Sequence, residues 1–356
     1  MIKSVLSLGI IVTTLVLVVG CTSSARTEPA QSVWFAPDAE TPDLLDLFNA
    51  PSLWQRSRAY IDVLKFGPMQ VSTSSIPKVN TYSDLVKADA FRKLKNWRIS
   101  VAIEAPAIKE WDCSGNFPAK VTLEYIRNVR SAGGAVQFIA MDEPLVSGFR
   151  SCHLTFDEIA ARTTTYVKAV LNDSSLSTAD RNMKFGDIEP YPSFSIDQLQ
   201  QWVNALQSSG LKPDFLHLDV DVNDVELHPQ FDLATDLRLL KAFLQSKNIP
   251  FGVILWSGRN PESSDQSYYD HVIDFVRRVH LAIDTSEQLI FQSWVLRAST
   301  SCSLNLPCSI ERPRCTSSDP PYCGSHSIPI NLPDNSREIF SHTRLISDSL
   351  AILAEP

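Results

Sequence analysis

The chain has 356 residues, 44% of them apolar, which is ample for one large core. A formal net charge of −8, with no basic stripe interleaved with aromatic residues, argues against nucleic acid as a partner. Seven cysteines in a chain of this size make the compartment the next question.

The N-terminus answers it. Lys3 precedes an apolar segment from Leu8 to Val19, and Gly20-Cys21 follows. That order of charge, apolar run and small residue is a signal peptide over residues 1–20. The segment is short for a membrane span, which favours cleavage. Val18-Val19-Gly20-Cys21 resembles the bacterial lipobox, and the resemblance implies a lipid on Cys21. No Asp follows Cys21, so the expected location is the cell envelope, with the outer membrane preferred. Residues 21–31 then read as a small, polar tether. Export makes disulfides the natural state of Cys113, Cys152, Cys302, Cys308, Cys315 and Cys323. The last four have five, six and seven residues between them and no C-x-x-C pair, which disfavours zinc.

From residue 32 to 356 the pattern alternates short apolar runs with amphipathic segments. The expected strands are Val33–Ala36, Ile61–Phe66, Ile99–Ala105, Val136–Met141, Met183–Ile188, Phe215–Val220, Phe251–Trp256 and Leu289–Trp294. Thr41-Pro42-Asp43 opens the first helix, with Pro where its missing N–H costs nothing. Ser83-Asp84 opens the second, whose Leu85, Ala88, Phe91 and Leu94 share a face. Thr155-x-x-Glu158 and Ser195-x-x-Gln198 are capping boxes for the fourth and fifth. The seventh lies near Tyr268–Ile283 and the eighth near Ser336–Leu353. Strand then helix, eight times, predicts a single-domain α/β fold, a (β/α)8 TIM barrel. No Gly-rich nucleotide turn follows the first strand, which counts against an open doubly wound sheet. Residues 299–335 form a cysteine-rich insertion on the rim. Cys113 and Cys152 lie just beyond two consecutive strands, so a bridge between those loops is the expected pairing.

Such barrels place their chemistry at the C-terminal ends of the strands. The ends collect Asp38, Lys65, Glu104, Asp142, Glu143, Asp187, Glu189, His217, Asp219, Asp221, Trp256, Gln292 and Trp294. The stretch Ala135–Leu145 is the centre of this ring, an apolar strand ending in Asp142-Glu143 before Pro144. Glu143 is the candidate general acid. Glu189, in a similar Ile-Glu-Pro setting, or Asp219 is the candidate nucleophile or base. Glu104, Asp142, His217, Asp221 and Lys65 are candidate substrate contacts, with Lys65 expected to pair with a rim acid. Trp256 and Trp294 present indoles on which the apolar face of a sugar ring can stack.

The barrel, the acid-tipped fourth strand and the late tryptophans together resemble the glycoside hydrolase barrels. The resemblance implies hydrolysis of a poly- or oligosaccharide through paired carboxylates, with Glu143 as acid/base by position. The adjacent Asp142-Glu143 is similar to the pair of substrate-assisted hexosaminidases. The seventh strand departs from the pattern, ending Leu255-Trp256-Ser257-Gly258 with no acid. Two other functions fit the same residues. One is a non-catalytic carbohydrate-binding envelope protein. The other is a metal-dependent isomerase or epimerase using Glu143, Glu189, His217 and Asp219. The leading expectation is a monomeric, lipid-anchored enzyme using neither metal nor cofactor.

Overall fold

Eight parallel strands close on themselves in sequence order, the eighth pairing with the first. They are β1 (Ser32–Ala36), β2 (Val63–Phe66), β3 (Ser100–Ala105), β4 (Val136–Asp142), β5 (Lys184–Tyr191), β6 (Leu216–Val220), β7 (Phe251–Leu255) and β8 (Gln288–Gln292). The structure, a computed structural model, describes residues 31–37, 41, 43–73, 80–260, 262–284, 287–295 and 328–354. The leader, Cys21, nearly all of the tether, Asp38 and the four late cysteines lie outside the described residues.

The barrel interior is identified by contacts across it. Trp34 of β1 packs against Phe138 of β4 and against Phe215 and His217 at β6, with ring centroids 4.9, 5.3 and 4.8 Å away. Strands this far apart in order can touch only through the centre. Glycines on the same face make room: a Cβ on Gly186 would lie 2.1 Å from the Phe215 ring. Strand alternation then sorts the other residues. Lys65, Glu104, Asp142, Asp219 and Gln292 point inward, above the aromatic floor.

The opposite faces are covered by helices. Phe156–Leu171 and Ile196–Ser208 start at the two predicted capping boxes, where Thr155 and Ser195 accept the third-position N–H. The second expected helix is two, Tyr82–Lys87 and Ala90–Trp97, because Asp89 breaks it in a left-handed conformation (φ 54°). Its cap is Thr81, with Asp84 closing the box, rather than Ser83. The first helix begins at Asp46 and the last, His342–Leu353, at a Ser341 cap.

Residues 328–335, expected within a rim insertion, are built into the body. Ile328, Ile330 and Leu332 are buried, and Asn331 and Leu332 donate their backbone N–H groups to Asp43 at 3.2 and 2.8 Å.

Candidate active site at the barrel mouth

The mouth holds carboxylates paired with lysines. Lys65 Nζ lies 2.5 Å from Glu104 Oε2, and Gln292 Nε2 donates to the same oxygen at 3.3 Å. Burial works to raise the Glu104 carboxyl, but the Lys65 charge and these hydrogen bonds outweigh it and hold it below the usual range. Glu104 is therefore ionised. Lys109 Nζ lies 2.5 Å from Asp142 Oδ2. Burial and the Glu104 charge raise Asp142, with Lys109 opposing them.

Lys109 carries no mark in the sequence pattern. It sits in the loop after β3, where no periodicity marks a side chain as inward. That loop is tied to the next: Cys113 and Cys152 are bonded, as expected from their places on consecutive loops.

β4 ends at Asp142, and Pro144 opens a short helical turn, Pro144–Val146. Alternation alone would send Glu143 outward. Instead its backbone is left-handed (φ 48°, ψ 53°), uncommon for a residue with a Cβ. Its half-buried carboxyl is pushed up to about 7 by burial and by the charge of Asp142, and Lys109 opposes the shift. The field of Glu143 in turn acts on inward-facing Asp219, which burial holds well above the usual carboxyl range. Trp256 Nε1 donates to Asp219 Oδ1 at 2.8 Å. The Trp256 and Trp294 rings pack 4.7 Å apart at 41°, with Trp256 buried and Trp294 36% exposed.

Three expected site residues are placed elsewhere. Glu189 does not reach the mouth. β5 runs through Pro190 to Tyr191, so Glu189 is inside the strand and shares its outer face with Asp187 and Tyr191. Asp187 accepts the Trp202 Nε1–H at 2.6 Å, Tyr191 bonds Asp236, and Glu189 accepts the Leu145 N–H at 2.7 Å. All three partners belong to the helical layer. His217 points inward but lies a layer below the rim, fully buried, 4.5 Å from the Phe215 ring and 2.7 Å from Gln288. Burial pushes it down to about 3, so it is neutral and part of the core. Asp221 lies past the end of β6 and caps the helix Val222–Leu227 by accepting the Asp224 N–H at 2.9 Å.

Glu143, Glu189, His217 and Asp219 are thus not brought together as a metal set. Among the described residues no group of three His, Cys, Asp or Glu side chains is arranged to hold an ion.

The closed barrel defines a (β/α)8 protein with a cluster of carboxylates at its mouth. No family model matches the chain, and no curated protein matches it. Solved structures similar to it include a fungal β-1,4-galactanase at 11% identity, over 74% of this chain and 89% of its own, TM-score 0.47. An endo-β1,6-glucanase is similar at 9% identity, over 74% of this chain and 66% of its own, TM-score 0.45. So is phosphoenolpyruvate phosphomutase from Streptomyces platensis subsp. rosaceus, at 13% identity, over 74% and 76%, TM-score 0.39. Glycoside hydrolases and phosphomutases alike are among these neighbours, so the likeness is one of fold.

Proposed function

We propose that the chain is an exported, lipid-anchored glycoside hydrolase acting on a poly- or oligosaccharide. One observation carries the reading. Two carboxyl groups at the mouth are driven apart in acidity, Glu143 upward to about 7 and Glu104 downward by Lys65. Glycoside cleavage requires a protonated acid and an ionised carboxylate at one site.

Glu143 protonates the leaving oxygen. Glu104 replaces Glu189 as the ionised partner and opposes the positive charge that develops on the sugar ring. Asp219, whose carboxyl burial holds well above the usual range, bonds a hydroxyl. Trp294 stacks on a ring face, with Trp256 behind it. The leader and Val18-Val19-Gly20-Cys21 support export and anchoring.

A second reading is a carbohydrate-binding protein without turnover. It is favoured by Lys109, which occupies Asp142 as Lys65 occupies Glu104, and by the lack of an acid on β7.

The test is release of reducing ends from bacterial and plant polysaccharides by the chain from Ser23, with Glu143→Gln beside it. Release by the wild type alone, unaffected by EDTA, supports hydrolysis. No release on any substrate, with sugar binding intact, moves the assignment to the binding protein.

A further inference from the structure

Glu143 occupies a backbone conformation that works against it twice. A left-handed φ is unfavourable for a residue with a Cβ. Pro144 behind it disfavours helical ψ values through its ring. Something must hold the turn. The Glu143 N–H donates to Ile188 O on β5 at 3.1 Å, and Ser147 N–H returns to Glu143 O at 3.1 Å. Between them the first turn has two N–H groups to satisfy, since Pro144 has none. One of them goes to a side chain carried by β5: Glu189 Oε1 accepts the Leu145 N–H at 2.7 Å.

The register explains why β5 can do this. Asp142 pairs with Ile188, and β5 continues three residues past that pair while β4 turns away. Glu189 is thereby carried alongside the turn, completely buried, its other oxygen without a hydrogen-bond partner. A carboxyl in the helical layer needs a reason to be there, and the turn supplies it.

We propose that Glu189 is a positioning residue: through the Leu145 N–H it holds Glu143 in its left-handed conformation and keeps that carboxyl at the mouth. The role rests on the reading of Glu143 as the acid, but the measurement needs no substrate.

The chain from Ser23 retains the whole compact unit, which begins at Gln31. Carboxyl-13C glutamate labelling follows Glu143, assigned by loss of its signal in Glu143→Gln. The wild-type midpoint is expected near 7. Glu189→Gln keeps a carbonyl acceptor and should titrate as the wild type does. Glu189→Asp retracts the acceptor by one methylene. Its Glu143 midpoint should fall by about one pH unit or more, with Leu145 amide exchange about tenfold faster. A merely structural role would lower the melting temperature and leave the titration in place. Wild-type titration in folded Glu189→Asp overturns the proposal, as does an equal fall in Glu189→Gln.

If Glu189→Asp does not fold, amide exchange in the wild type decides. A Leu145 amide protected about a hundredfold or more supports the role, and an unprotected one overturns it. Failure to find hydrolysis would sink the glycosidase reading without moving these titrations.

Discussion

Trp256 gives its indole N–H to Asp219 at 2.8 Å, and the same ring lies 4.7 Å from Trp294. One side chain thus fixes an acid on β6 and backs the exposed indole beyond β8. Trp256→Phe keeps most of the ring and removes the donor. Asp219 would then be buried without its hydrogen bond, and its carboxyl should titrate still higher. Stability in urea should fall by about 1–3 kcal/mol. Unchanged stability and titration would show that the bond contributes nothing.

On the proposed glycoside hydrolase reading, the rate of hydrolysis should decline as pH rises through about 7, where Glu143 loses its proton. Glu143→Gln should lose about a hundredfold or more in rate and bind oligosaccharide as before. A profile flat from pH 6 to about 8, measured by reducing-end release, would remove Glu143 from the acid role.

Stability carries a related signature. Burial raises Glu143, Asp187, Glu189 and Asp219. Their stabilisation is complete below the ordinary carboxyl range and is lost as pH rises through the folded-state values. His217 and His342, pushed down to about 3 by burial, act in the other direction. Their contribution is complete above 6.5 and lost as pH falls. Above pH 6.5 only the acids still change, so the melting temperature should fall between 6.5 and about 8. Asp187→Asn keeps an acceptor for Trp202 and should flatten the slope. A melting temperature rising over that range would contradict the assignment.

Lys65→Met strands Glu104 as a partly buried carboxylate. We expect a loss of roughly 1–3 kcal/mol, less than for a fully buried pair because Glu104 is 20% exposed. Adding Glu104→Gln should restore most of it, since both charges then leave together. A double variant as unstable as the sum of the singles would mean that the two residues do not act as a pair.

Cys21→Ser should move the protein from the membrane pellet to the soluble fraction, and intact mass should lose the acyl groups. Retention at the membrane by the Ser variant would refute lipid anchoring.

The eight strands were legible because each is a short apolar run between polar or turn residues, and the structure shifts their ends by no more than three positions. Glu143 was legible through Pro144, which ends the ladder. The same cue misled at Glu189. Ile-Glu-Pro looks like a strand end, yet Pro190 sits within β5, opposite Asp219 in the register. Once the strand continues, alternation puts Glu189 with Asp187 and Tyr191 on the outer face. His217 shares its parity with Asp219 but not its depth, which a pattern of period two cannot report. Lys109 was invisible because a loop has no period at all.

The bridge between Cys113 and Cys152 has a consequence for where this protein can be made. It joins the loop that carries Lys109 to the segment that follows Glu143, and Cys152 Sγ also lies 3.8 Å from the Lys109 carbonyl oxygen. The lysine that restrains the acidity shift of Glu143 and the backbone that presents Glu143 therefore belong to one cross-linked piece. Material produced in a reducing cytoplasm could have every strand in place and still assemble its acid and its lysine independently. The bridge thus bears on the site, and not only on the durability of the fold.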